Sequence, residues 1–273
     1  GTSIAADGPL LFFGRARSSS TSPGLTTFSL ANPASPVLLG SRNIWPNTPD
    51  ILGIATRGRL LYVATSAPDA ELVIVDTGVP EPLFVVGHVD LPGTSAATSV
   101  TVSGNTAYVT RGGVGALDVL TLAEPQSPVL AGSIGTNGPA NDVTVLGSYA
   151  YVATGAGAAE FLRIDISNPS VPAYAGSVDL ASDAWGVAAQ GPFAYLATQG
   201  NTQEFVAIGN GQSEAWRHLA AVAELPPVRE NPQRPLGRRD VEFAAPRGGS
   251  AHRSAVARGP ELTARRQVER VKQ

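Results

Sequence analysis

A motif that recurs five times along this sequence limits the possible folds more than any other feature. A glycine is followed four residues later by an aromatic residue, and successive aromatic residues are 43 to 50 positions apart. The aromatic residues are Phe12, Tyr62, Tyr108, Tyr151 and Tyr195. Variants of a second motif, Pro-Val-Leu-x-Gly-Ser, follow the first four aromatics and begin at Pro36, Pro82, Pro128 and Pro172. Two motifs that share one period indicate successive copies of one structural unit.

Each unit contains four segments with the properties of short β-strands. The first alternates apolar and polar residues, as in 143–145, the second carries the aromatic residue, and the third is apolar, as in 72–76. A proline-bearing turn such as 168–172 precedes the fourth. Such alternation between Gly and Pro turns is typical of antiparallel strands, and a four-stranded repeat of this length is typical of a β-propeller blade. A pair of immunoglobulin-like sandwiches is the alternative, but it would not require matching motifs in every unit.

We therefore predict an all-β chain, a β-propeller of about four and a half four-stranded antiparallel blades. The units span about 1–49, 50–95, 96–138 and 139–182, with a partial unit at 183–208. In the partial unit, residues 204–208 align with 160–164, but Gly209 stands where Asp165 would fall. No fifth proline motif follows, so the repeat stops within a third strand.

Residues 209–273 have a different composition, rich in Arg, Pro and Ala, and we predict a low-complexity, non-propeller C-terminal tail. The chain carries a net charge of −3, but the repeats are acidic and the tail is basic. Three interpretations stay open: an out-of-frame translation of a GC-rich gene, which we favour, a native disordered tail, and a basic segment that binds nucleic acid. The last is the weakest, because acidic residues dilute the charge and Trp216 and Phe243 are isolated. We therefore expect no nucleic-acid partner.

The third strands also carry a resemblance to a known family. Residues 72–76 read Leu-Val-Ile-Val-Asp, and residues 162–169 follow the same pattern. This resembles the LVIVD repeats of bacterial and archaeal surface proteins, although Ser29 and Thr121 stand where the aspartate would fall. The resemblance spans residues 1 to about 208. It implies a propeller with an extracellular or cell-surface location, and the family has no common activity to transfer. YVTN-type surface propellers are the nearest alternative.

Candidate functional residues lie just before or within the first strands of the second, fourth and fifth units, because propellers usually act at the mouth of their central channel, where these strands begin. These candidates are Asp50, Asn141, Asp142, Asp183 and Trp185. They could line a polar pocket or hold a cation through oxygen ligands. We favour a structural role, in which they satisfy turns or the backbone amides of a neighbouring blade. We expect no metal site and no cofactor.

Other chemistry receives little support from the sequence. The chain has no cysteine, no run of apolar residues that could span a membrane and no signal peptide in this segment. His88 is the only histidine of the repeats and has no recognisable nucleophile beside it, so we name no catalytic residue. The expected function is therefore a non-enzymatic extracytoplasmic module that presents loops to an unknown protein or glycan. The alternative is a fragment of a propeller enzyme, a hydrolase or lyase, whose catalytic residues lie in blades not present here.

Overall fold

The computed structural model describes residues 3–16, 24–46, 49–78, 82–155, 159–200 and 204–209. In these residues the chain forms strands β1 to β19, arranged as successive antiparallel sheets. Blade 1 contains β1 (Ser3–Asp7), β2 (Leu10–Gly14), β3 (Leu25–Ser29) and β4 (Val37–Arg42). Blade 2 contains β5 (Ile51–Arg57), β6 (Leu60–Thr65), β7 (Leu72–Asp76) and β8 (Phe84–Val89).

The remaining blades repeat this order. Blade 3 contains β9 (Ala97–Ser103), β10 (Thr106–Arg111), β11 (Ala116–Thr121) and β12 (Val129–Gly135). Blade 4 contains β13 (Ala140–Leu146), β14 (Tyr149–Thr154), β15 (Phe161–Asp165) and β16 (Ala173–Val178). Blade 5 contains β17 (Ala184–Gln190), β18 (Phe193–Thr198) and β19 (Phe205–Gly209).

This arrangement confirms the predicted all-β architecture of antiparallel blades, four of them complete. Neighbouring strands along the chain pair with each other in every sheet, and the part of the last sheet that the structure describes has three strands. The described part of the chain contains no helix that is long and apolar enough to cross a membrane. The predicted tail, apart from Gly209, lies outside the described residues.

The recurring glycine begins the turn between the first and second strand of each blade. Its backbone has a φ between +53° and +61° in all five units, a left-handed conformation that residues with a Cβ rarely adopt. These glycines are Gly8, Gly58, Gly104, Gly147 and Gly191. The first of the two sequence motifs is therefore the signature of a tight hairpin.

The core lies between the blades, in four clusters of buried apolar side chains that each join two successive sheets. Second and third strands contribute most of these side chains, and Leu72 to Val75 of β7 are fully buried. The recurring aromatic is buried in the first four blades, as expected of a packing residue, whereas Tyr195 of blade 5 is only half-buried. Burial on both faces explains why the third strand reads as a continuous apolar run.

Candidate functional site at the mouth of the central channel

The first strands of the blades lie side by side around a central cavity of about 380 Å³. A Cβ built on Gly53 of β5 would lie 2.8 Å from the Cα of Ser99 of β9, so these two strands are in backbone contact. All five blades contribute to the lining, through Ser3, Ile4, Leu52, Gly53, Ile54, Thr98, Ser99, Val100, Asn141, Asp142, Val143, Thr144, Trp185, Val187 and Ala188.

A β-bulge recurs at the same position of four of these first strands. In β5, Ile51 pairs with Thr65 and Gly53 with Ala64, so Leu52 has no partner opposite it. The equivalent residues of the next three blades are Thr98, Asn141 and Trp185. Bulges redirect side chains and are common beside functional sites. Here they place one side chain from each of four blades at the cavity.

The sequence carries a signal for this bulge that our interpretation of simple alternation missed. Buried apolar residues of the first strands stand three positions apart, as do Ala140 and Val143, or Ala184 and Val187. An uninterrupted strand would bury residues two or four positions apart. The recurring spacing of three therefore marks one inserted residue in each strand.

Asp142 joins the first strands of three blades. Its Oδ1 accepts hydrogen bonds from Ser99 Oγ at 2.7 Å and from the Val143 amide at 2.9 Å, and its Oδ2 accepts one from the Val187 amide at 2.9 Å. Burial raises the pKa of Asp142 above its ordinary value, although these three hydrogen bonds act in the opposite direction. Both carboxylate oxygens are therefore engaged in holding blades 3, 4 and 5 together.

The other candidates differ in their relation to the cavity. Asn141 lines it and donates from Nδ2 to the Ala184 carbonyl at 2.7 Å. Trp185 also lines it, is 56% exposed, and donates from Nε1 to Gln199 Oε1 at 3.2 Å. The structure therefore brings Asn141, Asp142 and Trp185 together.

Asp50 and Asp183 are not among the lining residues. Their carbonyls accept the amide hydrogens of Ser66 and Gln199, each at 3.0 Å, which ties the start of a first strand to the loop that follows the second strand. The side chains of Asp183 and Asn141 both border Gly155, since a Cβ built there would lie 3.6 Å from Asp183 Oδ2 and 3.5 Å from Asn141 Nδ2. A ligand-binding role for the five candidates stays a prediction.

Two buried polar features were not predicted from the sequence, an ion pair in blade 3 and a recurring glutamate. Arg111 and Asp118 of blade 3 form an ion pair, with 2.6 Å between Nε and Oδ2, and the Asp118 side chain is fully buried. Burial raises the pKa of Asp118, and bonds to Ser133 and Arg111 oppose that shift. Blade 2 has Thr65 and Val73 at the equivalent positions. Arg111 and Asp118 thus both differ from the equivalent residues of blade 2, and this pair of differences is what a comparison of the units could have used to predict the ion pair.

The second feature is a buried glutamate that directly precedes the third strand of blades 2 and 4. Glu71 Oε2 accepts the Leu91 amide hydrogen at 2.9 Å, and Glu160 Oε2 accepts that of Leu180 at 2.6 Å. In both cases the amide lies just beyond the fourth strand of the same blade. Among the described residues, no three His, Cys, Asp or Glu side chains are grouped so that they could hold a metal ion.

Comparison with solved structures gives many matches to propeller proteins at low sequence identity. The periplasmic gluconolactonase PpgL of Pseudomonas aeruginosa matches with a TM-score of 0.64 and 14% identity, covering 76% of this chain and 65% of that one. A Bacteroides uniformis protein, provisionally assigned as a 6-phosphogluconolactonase, matches with a TM-score of 0.61 and 16% identity, covering 73% and 64%. At these identities the likeness shows the fold alone. The chain spans somewhat less than two thirds of the length of both structures.

Sequence comparison identifies the repeat itself. A search of curated protein sequences finds no match. The family model of the LVIVD repeat matches residues 95–136, 137–180 and 181–208. These boundaries follow blades 3, 4 and 5, whereas residues 72–76 lie outside the matched range. Residues 95–208 therefore consist of LVIVD repeats, which confirms the predicted resemblance for this range, including the third strand of blade 4.

Proposed function

We propose that this chain is a non-catalytic, extracytoplasmic propeller module that binds a glycan at the mouth of its central channel. The observation that carries the proposal is the recurring bulge, which places Thr98, Asn141 and Trp185 at one cavity. The Thr98 hydroxyl donates to the Ala140 carbonyl and Asn141 Nδ2 donates to the Ala184 carbonyl, but the Thr98 oxygen and Asn141 Oδ1 have lone pairs that can accept hydrogen bonds from sugar hydroxyls. An exposed indole offers an apolar face for a sugar ring and a polar edge for a hydrogen bond.

The state of Asp142 also favours binding over catalysis. Asp142 is the residue of the cavity lining that carries a carboxylate. A general acid or base must bring a proton or a lone pair to the substrate. Both of its oxygens already accept hydrogen bonds from Ser99, Val143 and Val187. Recruitment of Asp142 to chemistry would break contacts that join three blades.

The test is a titration of the full chain with neutral oligosaccharides, namely cello-, chito-, malto- and xylohexaose, followed by calorimetry. We expect one of them to bind, and Trp185→Ala to weaken that binding about tenfold or more, because an exposed aromatic side chain that the ligand buries often dominates the binding energy. The matched control is Phe193→Ala, which removes a 40% exposed aromatic from the next strand of the same blade, outside the cavity lining. Equal effects of the two substitutions would place the glycan elsewhere, and failure of all four sugars would favour a protein partner.

The enzyme alternative has its own readout. The Pseudomonas structure is that of a gluconolactonase, so hydrolysis of glucono-δ-lactone is the reaction to assay first. Turnover by this chain that Asp142→Asn abolishes would replace the proposed function. The proposed location rests on the LVIVD resemblance, and antibody labelling of intact cells of the source organism would test it.

A further inference from the structure

One edge of the third strand of blade 5 has no partner among the described residues. β18 pairs with β19, and no described strand pairs with the opposite edge of β19. In blades 1 to 4 the third strand has a fourth strand on that edge. The consequence is visible at equivalent phenylalanines, since Phe161 of β15 is fully buried and Phe205 of β19 is 49% exposed.

Glu204 occupies the position of a glutamate that, in two other blades, binds a backbone amide just beyond the fourth strand. The carbonyls of Glu71, Glu160 and Glu204 accept the amide hydrogens of Thr65, Thr154 and Thr198, at 2.8, 2.9 and 3.0 Å. The first two glutamates also accept a backbone amide hydrogen just beyond their fourth strand. Glu204 is exposed. Its backbone is therefore placed as in the other blades, and its carboxylate can accept an amide of an added strand.

The neighbouring blade has space for the turn that precedes a fourth strand. A Cβ built on Gly87 of β8 would lie 1.8 Å from the Gln126 carbonyl oxygen, in the turn before the fourth strand of blade 3. A Cβ built on Gly132 of β12 would lie 2.4 Å from the carbonyl oxygen of Pro169, in the corresponding turn of blade 4. At Gly176 of β16 no described atom lies within 4 Å of such a Cβ.

A cavity of about 550 Å³ lies between blades 4 and 5, lined by residues that include Tyr149, Tyr151 and Arg163. Tyr151 is equivalent to Tyr62, whose hydroxyl donates to the Pro125 carbonyl at 3.0 Å, in the turn before the fourth strand of blade 3. A turn of this kind belonging to blade 5 would enter the cavity.

We propose that β19 is an acceptor for a strand supplied by another polypeptide, with the chemistry of this repeat's own fourth strand. The donor is an Asn-Pro turn followed by an extended segment of the Pro-x-x-x-Gly-Ser type, as in blade 4. Its backbone pairs with β19, its apolar side chains cover Phe205, and an amide just beyond the strand binds Glu204. This is strand addition, in which main-chain hydrogen bonds give affinity and the alternate side chains give specificity.

Two other occupants fit less well. A second copy of the chain offers β4, β8, β12 and β16, and each of these is already paired with its own third strand. It also offers its own β19, which can pair edge to edge at high concentration, but no Asn-Pro turn precedes β19 that could enter the cavity. The residues that follow β19 in this chain do not have the required pattern. Trp216, Ala220 and Glu224 stand at the positions that correspond to Pro172, Gly176 and Leu180 of blade 4.

The probe is a fluorescein-labelled synthetic peptide with the sequence of residues 166–180, which contains the turn and fourth strand of blade 4. Fluorescence anisotropy with the full chain should show saturable one-to-one binding. Glu204→Ala should weaken this binding about tenfold, because it removes a charged acceptor of a backbone amide. Glu124→Ala, at an exposed glutamate of blade 3, is the control and should leave the affinity unchanged.

A second peptide, N-methylated at the amide of its last residue, distinguishes the hydrogen bond to Glu204 from non-specific binding. The methylated peptide should bind the unsubstituted chain about tenfold more weakly than the unmodified peptide does. The two peptides should bind the Glu204→Ala chain with equal affinity. Independent losses from the two changes would overturn the proposed register. Absence of binding would overturn the proposal. Sedimentation would then identify the occupant, a dimer indicating a second copy and a monomer indicating the chain's own residues.

Discussion

Individual buried carboxylates of this propeller hold backbone amides in place. Asp142 binds an amide of the next blade, and Glu71 and Glu160 each bind an amide beyond the fourth strand of their own blade. A buried amide without a partner is costly, which gives these acidic residues a structural reason to be where they are. The sequence places Asp142 at the start of a first strand, but it cannot show which distant amide a side chain reaches. Glu71 and Leu91 are 20 residues apart.

Glu71 provides a prediction about pH. Burial raises its pKa, Asp90 adds to the shift, and the bond from Leu91 and the charge of Arg111 oppose it. The protonated form thus favours the folded state, and this contribution is complete below the ordinary pKa and lost as the pH rises through the folded-state pKa. Glu71→Gln keeps a carbonyl acceptor for Leu91 and cannot ionise. The variant should therefore gain stability relative to the unsubstituted chain as the pH rises from about 4 to about 8.

Urea denaturation at several pH values, read by circular dichroism, measures the effect. The control is Glu124→Gln, because Glu124 is exposed and its substitution should change the free energy of unfolding little at any pH. A stability difference between the Glu71→Gln variant and the unsubstituted chain that stays constant across the pH range would contradict the prediction.

Strands and blades were predictable because their signals are local and repeated. The glycine that begins each first hairpin and the proline before each fourth strand recur with one period, so the register of five units follows from the sequence. The bulge at Asn141 was not predicted, since its signal is a break in alternation only one residue long. The positions of Asn141, Asp142 and Trp185 around one cavity depend on contacts between blades. No pattern within a single repeat contains that information.

Strands β10 and β11 carry Arg111 and Asp118 where blade 2 has Thr and Val, and replacing both residues together should be tolerated better than replacing either one. Arg111→Thr alone leaves Asp118 buried without its cation, and Asp118→Val alone leaves Arg111, whose side chain is 12% exposed, without its anion. Each single change should lower the free energy of unfolding by about 3–5 kcal/mol. The double substitution restores the pair found in blade 2, Thr65 and Val73, and should recover most of that loss.

A double-mutant cycle from urea denaturation of the four proteins gives the coupling energy between the two positions. A coupling of several kcal/mol is expected, because the residues are in direct contact. Additive losses, with the double variant the least stable, would show that the ion pair does not determine the cost of either single change.

At the scale of the whole molecule, the three-stranded form of blade 5 in the described residues leads to a prediction about self-association. A propeller normally leaves only short, protected sheet edges, and an unpaired edge with apolar side chains promotes pairing with other chains. Among the described residues such an edge is formed by β19, with Phe205 exposed and Val206 and Ile208 buried beside it. We therefore predict that the chain is only marginally stable and self-associates at high concentration.

The decisive variant completes blade 5 with the chain's own sequence. Residues 165–180 align with 209–224, so replacing the latter by a copy of the former supplies the aspartate, the Asn-Pro turn and the fourth strand. The copy should pair with β19, cover Phe205 and give Glu204 its amide, since Glu160 holds Leu180 in this way. We expect this variant to be monomeric and its Tm to rise by about 5 °C or more, which corresponds to roughly 2 kcal/mol in a domain of this size. Light scattering and thermal denaturation at matched concentrations compare it with the unsubstituted chain and with a variant that carries the same 16 residues in scrambled order. If the unsubstituted chain is already monodisperse and melts at the same temperature as the completed one, the edge of β19 is covered in some other way.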